Sequence, residues 1–344
     1  MILVPPGMDL KQLSATLGLS PTTVSRALNG YADVSEVTRA RVVEAASRLG
    51  YQPNANARRL AIGKADAVGM IYPPDVGDLS DPRFLDVVNG LTERFGEANM
   101  DLLIATSRQA DELVSYERLV RGRRFDALIV PRTRREDPRI DYLQRMRFPF
   151  LAYGRTANPV GYPWFDFDNA AGVVLAMRRL GAFGHRRIGY VHAPLDFNYA
   201  WQRHEGYRHG LKELGLEDNP AWKVEALGRR GGYEAAVQLL SLSPESRPTA
   251  IVVDNNLAGI GVARAMGDRG LALGRDLSVI VYDGVPSDHL LAGQTMTSIE
   301  QPTAYEAGRT MAAMMLDVLA AKPVEEIQQL WTPTLAPGTS DGPV

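Results

Sequence analysis

Between Ser20 and Asn29 the chain sets short donors around a single guanidinium: Thr22, Thr23, Ser25, Arg26 and Asn29. Side chains of this length bond phosphate oxygens, and a guanidinium can donate twice to the O6/N7 edge of guanine. A second group lies far down the chain, where Arg203, Asn255 and Asp283 bring together cationic, amide and carboxylate chemistry. Gathered in one cleft, such groups make directional, charge-assisted bonds to a polar small molecule. Other chemistries are poorly supplied. Cysteine is absent, which excludes disulfides, thiolate metal sites and a cysteine nucleophile. The five histidines, at 185, 192, 204, 209 and 289, show no paired-ligand spacing, and there is no serine nucleophile elbow. Gly259-Ile260-Gly261-Val262-Ala263-Arg264 imitates a dinucleotide fingerprint but lacks its final glycine. No catalytic set, metal or cofactor is expected.

Two short helices position the first group. Leu10, Leu13 and Leu17 mark one apolar helix face, with Ser14 small enough for a close crossing and Gly18 suited to end the helix. Ser20 then caps a second helix that starts at Pro21 and turns Val24, Ala27 and Leu28 inward, which leaves the donors outside. This is a helix-turn-helix whose second helix suits a major groove. Its bland alternative is a three-helix domain that binds no nucleic acid. Ser35 caps a third helix, Glu36 to Leu49, with Val42, Ala45, Ala46 and Leu49 as its inner stripe. After Pro53, Asn54 can cap a short segment holding Arg58, Arg59 and an outward Leu60, too short to be stable alone.

From Ala67 strand-like and helical stretches alternate, the pattern of parallel sheets wound on both sides, and their number suggests two sheets with a cleft between them. In that frame Asp283 ends a strand, Asn255 follows another, and Arg203 starts a helix; Asp168, Phe84 and Gln301 join them as cleft candidates. An Asp283–Arg203 ion pair with no ligand is the competing possibility. The tail from Thr332 to Val344, rich in Pro, Gly, Ser and Thr, is expected to fray.

Length and charge agree. The 344 residues, 45% hydrophobic, allow two or three domains. Residues 1–65 hold eight basic and four acidic side chains, a net +4, against a net charge of −2 for the whole chain. A basic head on an acidic body fits a DNA-reading module carried by a soluble body. No apolar run of about eighteen residues exists to span a membrane, and no signal peptide opens the chain, so a cytoplasmic location is expected. Residues 1–7 are expected to form a disordered extension, with Met8 a candidate start.

Several stretches resemble the LacI/GalR family of bacterial transcriptional regulators. They are Ser20-x-x-Thr23-Val24-Ser25-Arg26-x-Leu28-Asn29, Val34-Ser35-x-x-Thr38, Leu49-Gly50-Tyr51-x-Pro53-Asn54 and Ala57-Arg58-x-Leu60 in the head. In the body they are Asp168-Asn169, Leu180-Gly181-Ala182-Phe183-Gly184-His185, Arg203-x-x-Gly206-Tyr207, Asn255-Asn256, Val281-Tyr282-Asp283 and Thr297-Ser298-Ile299-x-Gln301-Pro302. The resemblance implies an all-α helix-turn-helix head (8–52), a hinge helix and linker (53–65), and an α/β body (66–344) of two doubly wound parallel-sheet subdomains, similar to type I periplasmic sugar-binding proteins. The chain would cross between subdomains near His185, Thr297 and Ala321, giving an N-subdomain of 66–184 and 297–320 and a C-subdomain of 185–296 and 321–344.

The resemblance also implies roles. Base readout falls to Pro21, Thr22 and Arg26, and phosphate contact to Thr23, Ser25, Asn29 and Tyr51; Asn54, Ala57 and Leu60 complete the DNA-binding set. In the cleft, Asp, Asn and Arg bond ligand hydroxyls, and an aromatic such as Phe84 lies against an apolar face. A homodimer reading a pseudo-palindromic double-stranded operator, released by a sugar-like effector, is the implied function. A corepressor-dependent regulator, a transport-type sugar-binding protein and an α/β enzyme with a regulatory head are the alternatives. The sequence departs from the family pattern at Asn256, where Asp is usual, at Leu227, where many members place Phe or Trp, and in Ala336-Pro337-Gly338-Thr339-Ser340, which lacks the usual Arg. Leu60, exposed between arginines and a polar face, is suited to wedge into a minor-groove base step. Leu60→Ala is therefore expected to keep the fold and lose most operator affinity and bending; unchanged binding of that variant in a gel-shift assay would remove the wedge.

Overall fold

The computed structural model describes residues 8–51, 64–72, 81–108, 111–290 and 293–344. They form two compact units that divide between Ala65 and Asp66.

The head has three helices: α1 (Leu10–Leu17), α2 (Pro21–Leu28) and α3 (Glu36–Arg48). Each starts on a side-chain cap, from Asp9, Ser20 and Ser35 in turn, and Gly18 ends α1 in the left-handed conformation (φ 67°). Leu13, Val24, Ala27, Val34, Val42, Ala45 and Ala46 form the core. Ser14 is buried at the helix crossing and returns its hydroxyl to the Leu10 carbonyl at 2.6 Å.

The body has two six-stranded sheets. The first runs in the order β11-β5-β4-β3-β1-β2, from β1 (Ala67–Tyr72), β2 (Asp101–Thr106), β3 (Ala127–Pro131), β4 (Phe150–Tyr153), β5 (Trp164–Phe167) and β11 (Gln328–Trp331). The second runs β12-β10-β9-β8-β6-β7, from β6 (Ile188–His192), β7 (Lys223–Glu225), β8 (Ala250–Val253), β9 (Ser278–Tyr282), β10 (Thr297–Glu300) and β12 (Thr334–Ala336). The pairings are parallel apart from β10 with β12.

Helices cover both faces of each sheet. On the first, α4 (Pro82–Glu97) and α11 (Ala304–Leu319) pack on one face, α5 (Glu112–Arg121) and α6 (Pro138–Arg145) on the other. On the second, α7 (Asn169–Ala182) and α8 (Asn198–Glu213) oppose α9 (Gly228–Leu240) and α10 (Asn256–Gly267). Gly261 belongs to the α9/α10 contact: a Cβ there would lie 2.0 Å from the Arg229 carbonyl oxygen, so only glycine lets the helices approach this closely. The fingerprint-like glycines serve helix packing, and phosphate binding is not needed to explain them.

The structure moves the three crossings. The chain leaves the first sheet at Asp168, because α7 buries Val173, Ala176, Met177 and Leu180 in the core of the second sheet, so residues 169–184 belong with the C-subdomain. It returns after β10, near Gln301, where α11 packs on α4. It crosses last between β11 and β12, near Thr332, after β11 has paired with β5, not at Ala321. The tail is ordered where fraying was expected. β12 pairs with β10, and Asp341 is buried against Arg179 (2.5 Å) and the Thr297 hydroxyl (2.5 Å). Four short strands were not expected from the sequence: β7, β11 and β12 at sheet edges, and β5 between β11 and β4.

Removing the Asp341 carboxylate strands a partly exposed guanidinium and a buried hydroxyl. Asp341→Ala is expected to lower the unfolding free energy by on the order of 2 kcal/mol, measured as a shift in the urea midpoint.

Candidate functional site

The head presents the expected surface. Pro21, Thr22 and Arg26 are exposed on α2, while Thr23, Ser25 and Asn29 are half-buried beside them. Several of these groups are already engaged. The Thr23 hydroxyl lies 2.8 Å from that of the capping Ser20, and the Asn29 amide donates to the Ser25 carbonyl at 2.8 Å. Arg26 pairs with Asp33 at 2.9 Å, both about half exposed, and lies 5.3 Å from the Tyr31 ring centroid. Such exposed pairs contribute about 0–1 kcal/mol, so a guanine edge can compete for the guanidinium. Tyr51 packs on the head core, with burial raising its phenol pKa and Asp9 adding to the effect. Asn54, Ala57 and Leu60 lie outside the described residues.

In the body, the carboxyl ends of the strands of both sheets and the first turns of the helices that follow converge on a cavity of about 200 Å³. Five of the six predicted cleft residues line it: Phe84, Arg203, Asn255, Asp283 and Gln301. Asp168 does not. It caps α7, accepting from the Ala171 amide at 3.1 Å, because it stands at the first crossing with its carboxylate turned onto the helix end. Asp166 and Asn169, on either side of it, line the cavity instead.

Arg203 is 5% exposed and holds the floor together. Its Nε donates to Asn169 Oδ1 at 2.9 Å, its Nη1 donates to the Asp254 carbonyl, and its Nη2 lies 4.0 Å from Asp283 Oδ2. The guanidinium sits 3.4 Å from the centroid of Tyr282, a cation–π contact strengthened by burial. Burial opposes its charge, but Tyr282, Asp283 and Asp254 outweigh that and hold its pKa above the ordinary value. Asp254 is fully buried, and burial raises its carboxyl against the pull of Arg203; it accepts from the Ala193 amide and the Asn255 side chain, at 2.9 and 2.8 Å.

The opposite wall comes from the start of α4. Asp81 caps that helix and accepts from the Asn256 side chain at 3.0 Å; burial raises its carboxyl above the usual range. Asn256, the departure from the family's usual Asp, thus faces a carboxylate, where an amide donates and a second carboxylate would repel. Arg83 Nη2 lies 3.2 Å from Asp283 Oδ1, and that charge raises its pKa. The expected Asp283–Arg203 pair is therefore part of a three-residue cluster. Asp283 itself has φ 66°, a left-handed conformation that costs a non-glycine residue free energy, and its buried Oδ1 accepts no hydrogen bond among the described residues. Tyr72 and Phe84 meet at 4.7 Å between centroids and supply an aromatic surface, while burial pushes the Tyr153 phenol up to about 12. Leu227 also lines the cavity.

Asp81, Arg83, Asp166, Asn169 and Asn256 were missed as site residues. Asp81-Pro82 and Asn255-Asn256 do carry helix-start chemistry, and helix starts after parallel strands are where such clefts collect their side chains. Asp166 lies in β5, a strand not expected from the sequence.

A helix-turn-helix head joined to a body of two parallel sheets around a polar cavity is the build of a DNA-binding transcriptional regulator. Residues 65–335 match the family described as periplasmic binding proteins and sugar binding domain of LacI family, and residues 14–54 match bacterial regulatory proteins, lacI family. The HTH-type transcriptional regulator RafR of Escherichia coli is 39% identical, with 97% of this chain and 98% of that protein covered. A transcriptional regulator from Yersinia pestis biovar Microtus str. 91001 shares the fold with a TM-score of 0.73 at 40% identity, covering 81% of this chain and 99% of that one. A transcriptional regulator CelR–cellobiose complex gives a TM-score of 0.72 at 26% identity, covering 97% and 99% of the two chains. The chain belongs to the LacI family of bacterial transcriptional regulators and is not an enzyme.

Lysine cannot reproduce the fork or the ring stacking of Arg203. Arg203→Lys is expected to lower body stability by about 2–3 kcal/mol, and an unchanged urea midpoint would show that the network is dispensable.

Proposed function

We propose that the protein is a homodimeric cytoplasmic repressor that binds a pseudo-palindromic operator and is released by a small sugar-like effector. The observation that carries the effector assignment is the cavity's chemistry: carboxylate, amide and guanidinium groups from both sheets beside the Tyr72–Phe84 aromatic surface. Carboxylates accept from hydroxyls, amides and guanidinium groups donate to them, and an aromatic face covers the C–H side of a sugar ring. The cellobiose complex of CelR supports a sugar as the class of ligand.

Asn256 donating to Asp81, and Asp283 lying against Arg83, join residues of the second sheet's subdomain to residues of the first. An effector that bonds these same groups acts on the closure of the cleft and so on the relative rotation of the two subdomains, which separates the hinges of a dimer and frees DNA. Thr22 and Arg26 read bases, and Thr23, Ser25 and Asn29 fix register on phosphates.

Binding of operator and effector must then be reciprocal. Titration of a panel of neutral mono- and disaccharides, followed by tryptophan fluorescence with and without operator duplex, is expected to find a sugar whose affinity falls when operator is bound, by the factor by which that sugar weakens operator binding. Equal affinity in both conditions would overturn the release mechanism, and mutual strengthening would make the sugar a corepressor.

A further inference from the structure

The helix ends of the first sheet's subdomain depart from a pattern common elsewhere in the chain. The head helices, and α7, α8 and α10 in the second subdomain, are followed by glycine at the left-handed position, as at Gly18, Gly184, Gly215 and Gly270. In the first subdomain that position is taken by Asn99 (φ 55°) after α4, Arg123 (φ 45°) after α5, Arg147 (φ 49°) after α6 and Ala321 (φ 56°) after α11, so that the two turns after α5 and α6 carry arginine. An L side chain is disfavoured there and glycine is the default. Three further arginines flank the two turns, Arg121, Arg124 and Arg145, and all five are exposed. The acidic residues nearest in sequence are Glu117, Asp126 and Asp141, against five arginines.

The two turns are neighbours. They precede β3 and β4, which are adjacent and parallel, so both open onto the edge of the sheet that holds the strands' amino ends. The chain enters the body on that same edge. The Asp66 carbonyl accepts from the Asp101 amide at 2.9 Å and the Ala67 carbonyl from the Asp126 amide at 2.8 Å, which seats the incoming chain between the starts of β2 and β3. The next link along the edge runs from the Leu128 amide to the Pro149 carbonyl at 3.1 Å, at the start of β4.

We propose that this arginine rim is a second DNA contact, in which the body holds backbone phosphates beyond the segment read by the helix-turn-helix. It rests on the chain being a DNA-binding regulator. The segment that enters at Asp66 comes from the DNA-binding head, and this edge of the body is the one at its end. Phosphate is the ligand that matches several exposed guanidinium groups clustered at one sheet edge, and its contacts are independent of base sequence.

The test uses full-length protein and a labelled 40-base-pair duplex of random sequence, with affinity followed by anisotropy across a salt series. The rim variant changes Arg121, Arg123, Arg124, Arg145 and Arg147 to Gln. A charge control changes five arginines on the second subdomain, Arg208, Arg229, Arg230, Arg264 and Arg275, to Gln. The rim variant is expected to bind at least tenfold more weakly at low salt, with the slope of log affinity against log salt reduced by about 0.9 for each phosphate no longer neutralised. The control is expected to bind within about twofold of wild type, the scale expected when charges lie farther from the duplex than a Debye length. Equal losses in both variants would reduce the rim to overall charge, and no loss in the rim variant would remove it. Failure of the wild type itself to bind the duplex would overturn the regulator reading and the rim with it. A second variant, Arg123→Gly with Arg147→Gly, separates charge from folding: it is expected to melt at or above the wild-type temperature while binding the duplex severalfold more weakly. A lower melting temperature with unchanged binding would make the two arginines structural.

Discussion

The buried guanidinium of Arg203 is the point on which the body's ligand cavity depends. It cannot remain charged in that position without partners, and the chain supplies them from three places: Asn169 just past the first crossing, the Asp254 carbonyl at the end of β8, and Asp283 at the end of β9, with Tyr282 beneath it. A cation desolvated to this degree is costly unless each donor is met. Meeting them fixes the start of α7 and two strand ends in one geometry. Asp283 is thereby held in a left-handed conformation that its own backbone disfavours, with one carboxylate oxygen ion-paired to Arg83.

Parallel sheets explain why a cavity forms at this place. Their strands all point the same way, so the carboxyl ends and the helix starts that follow collect on one edge. Asp81 and Asn255 cap such helix starts, where a polar side chain is needed for the backbone in any case, while Asn169 follows the capping Asp168. The chain thus obtains cavity chemistry from positions that capping already makes polar. Some polar residues at helix starts only cap. Asp168 and Asn169 are adjacent, and the backbone direction at the crossing sends one onto the helix end and the other into the cavity.

The same economy limits the head. Its three caps and its small core consume Ser20, Ser35 and Asp9, and even the donors of α2 hold one another, as Thr23 does with Ser20 and Asn29 with Ser25. Few groups remain free to read bases. A head so sparingly supplied would gain from phosphate contacts made by other parts of the chain, the role proposed for the arginines around Arg123 and Arg147.

Local chemistry determined much of this protein. The caps at Ser20 and Ser35, the glycine after α1 and the apolar spacing of α1 to α3 require no distant partner, so the head was legible residue by residue. Long buried strands such as Val68–Tyr72 and Ser278–Tyr282, alternating with helices, were enough to define two parallel sheets, and strand ends were enough to nominate Arg203, Asn255 and Asp283. Only the tertiary structure decided the rest. Where the chain crosses between sheets depends on which core takes up the apolar stripe of α7, a competition that the stripe itself does not record. The tail is held by Asp341 reaching Arg179, 162 residues away, and no local pattern encodes a pairing over that distance. Asp81 meets Asn256 across 175 residues for the same reason: each is an ordinary helix start in sequence, and only the folding of both sheets onto one cavity makes them neighbours.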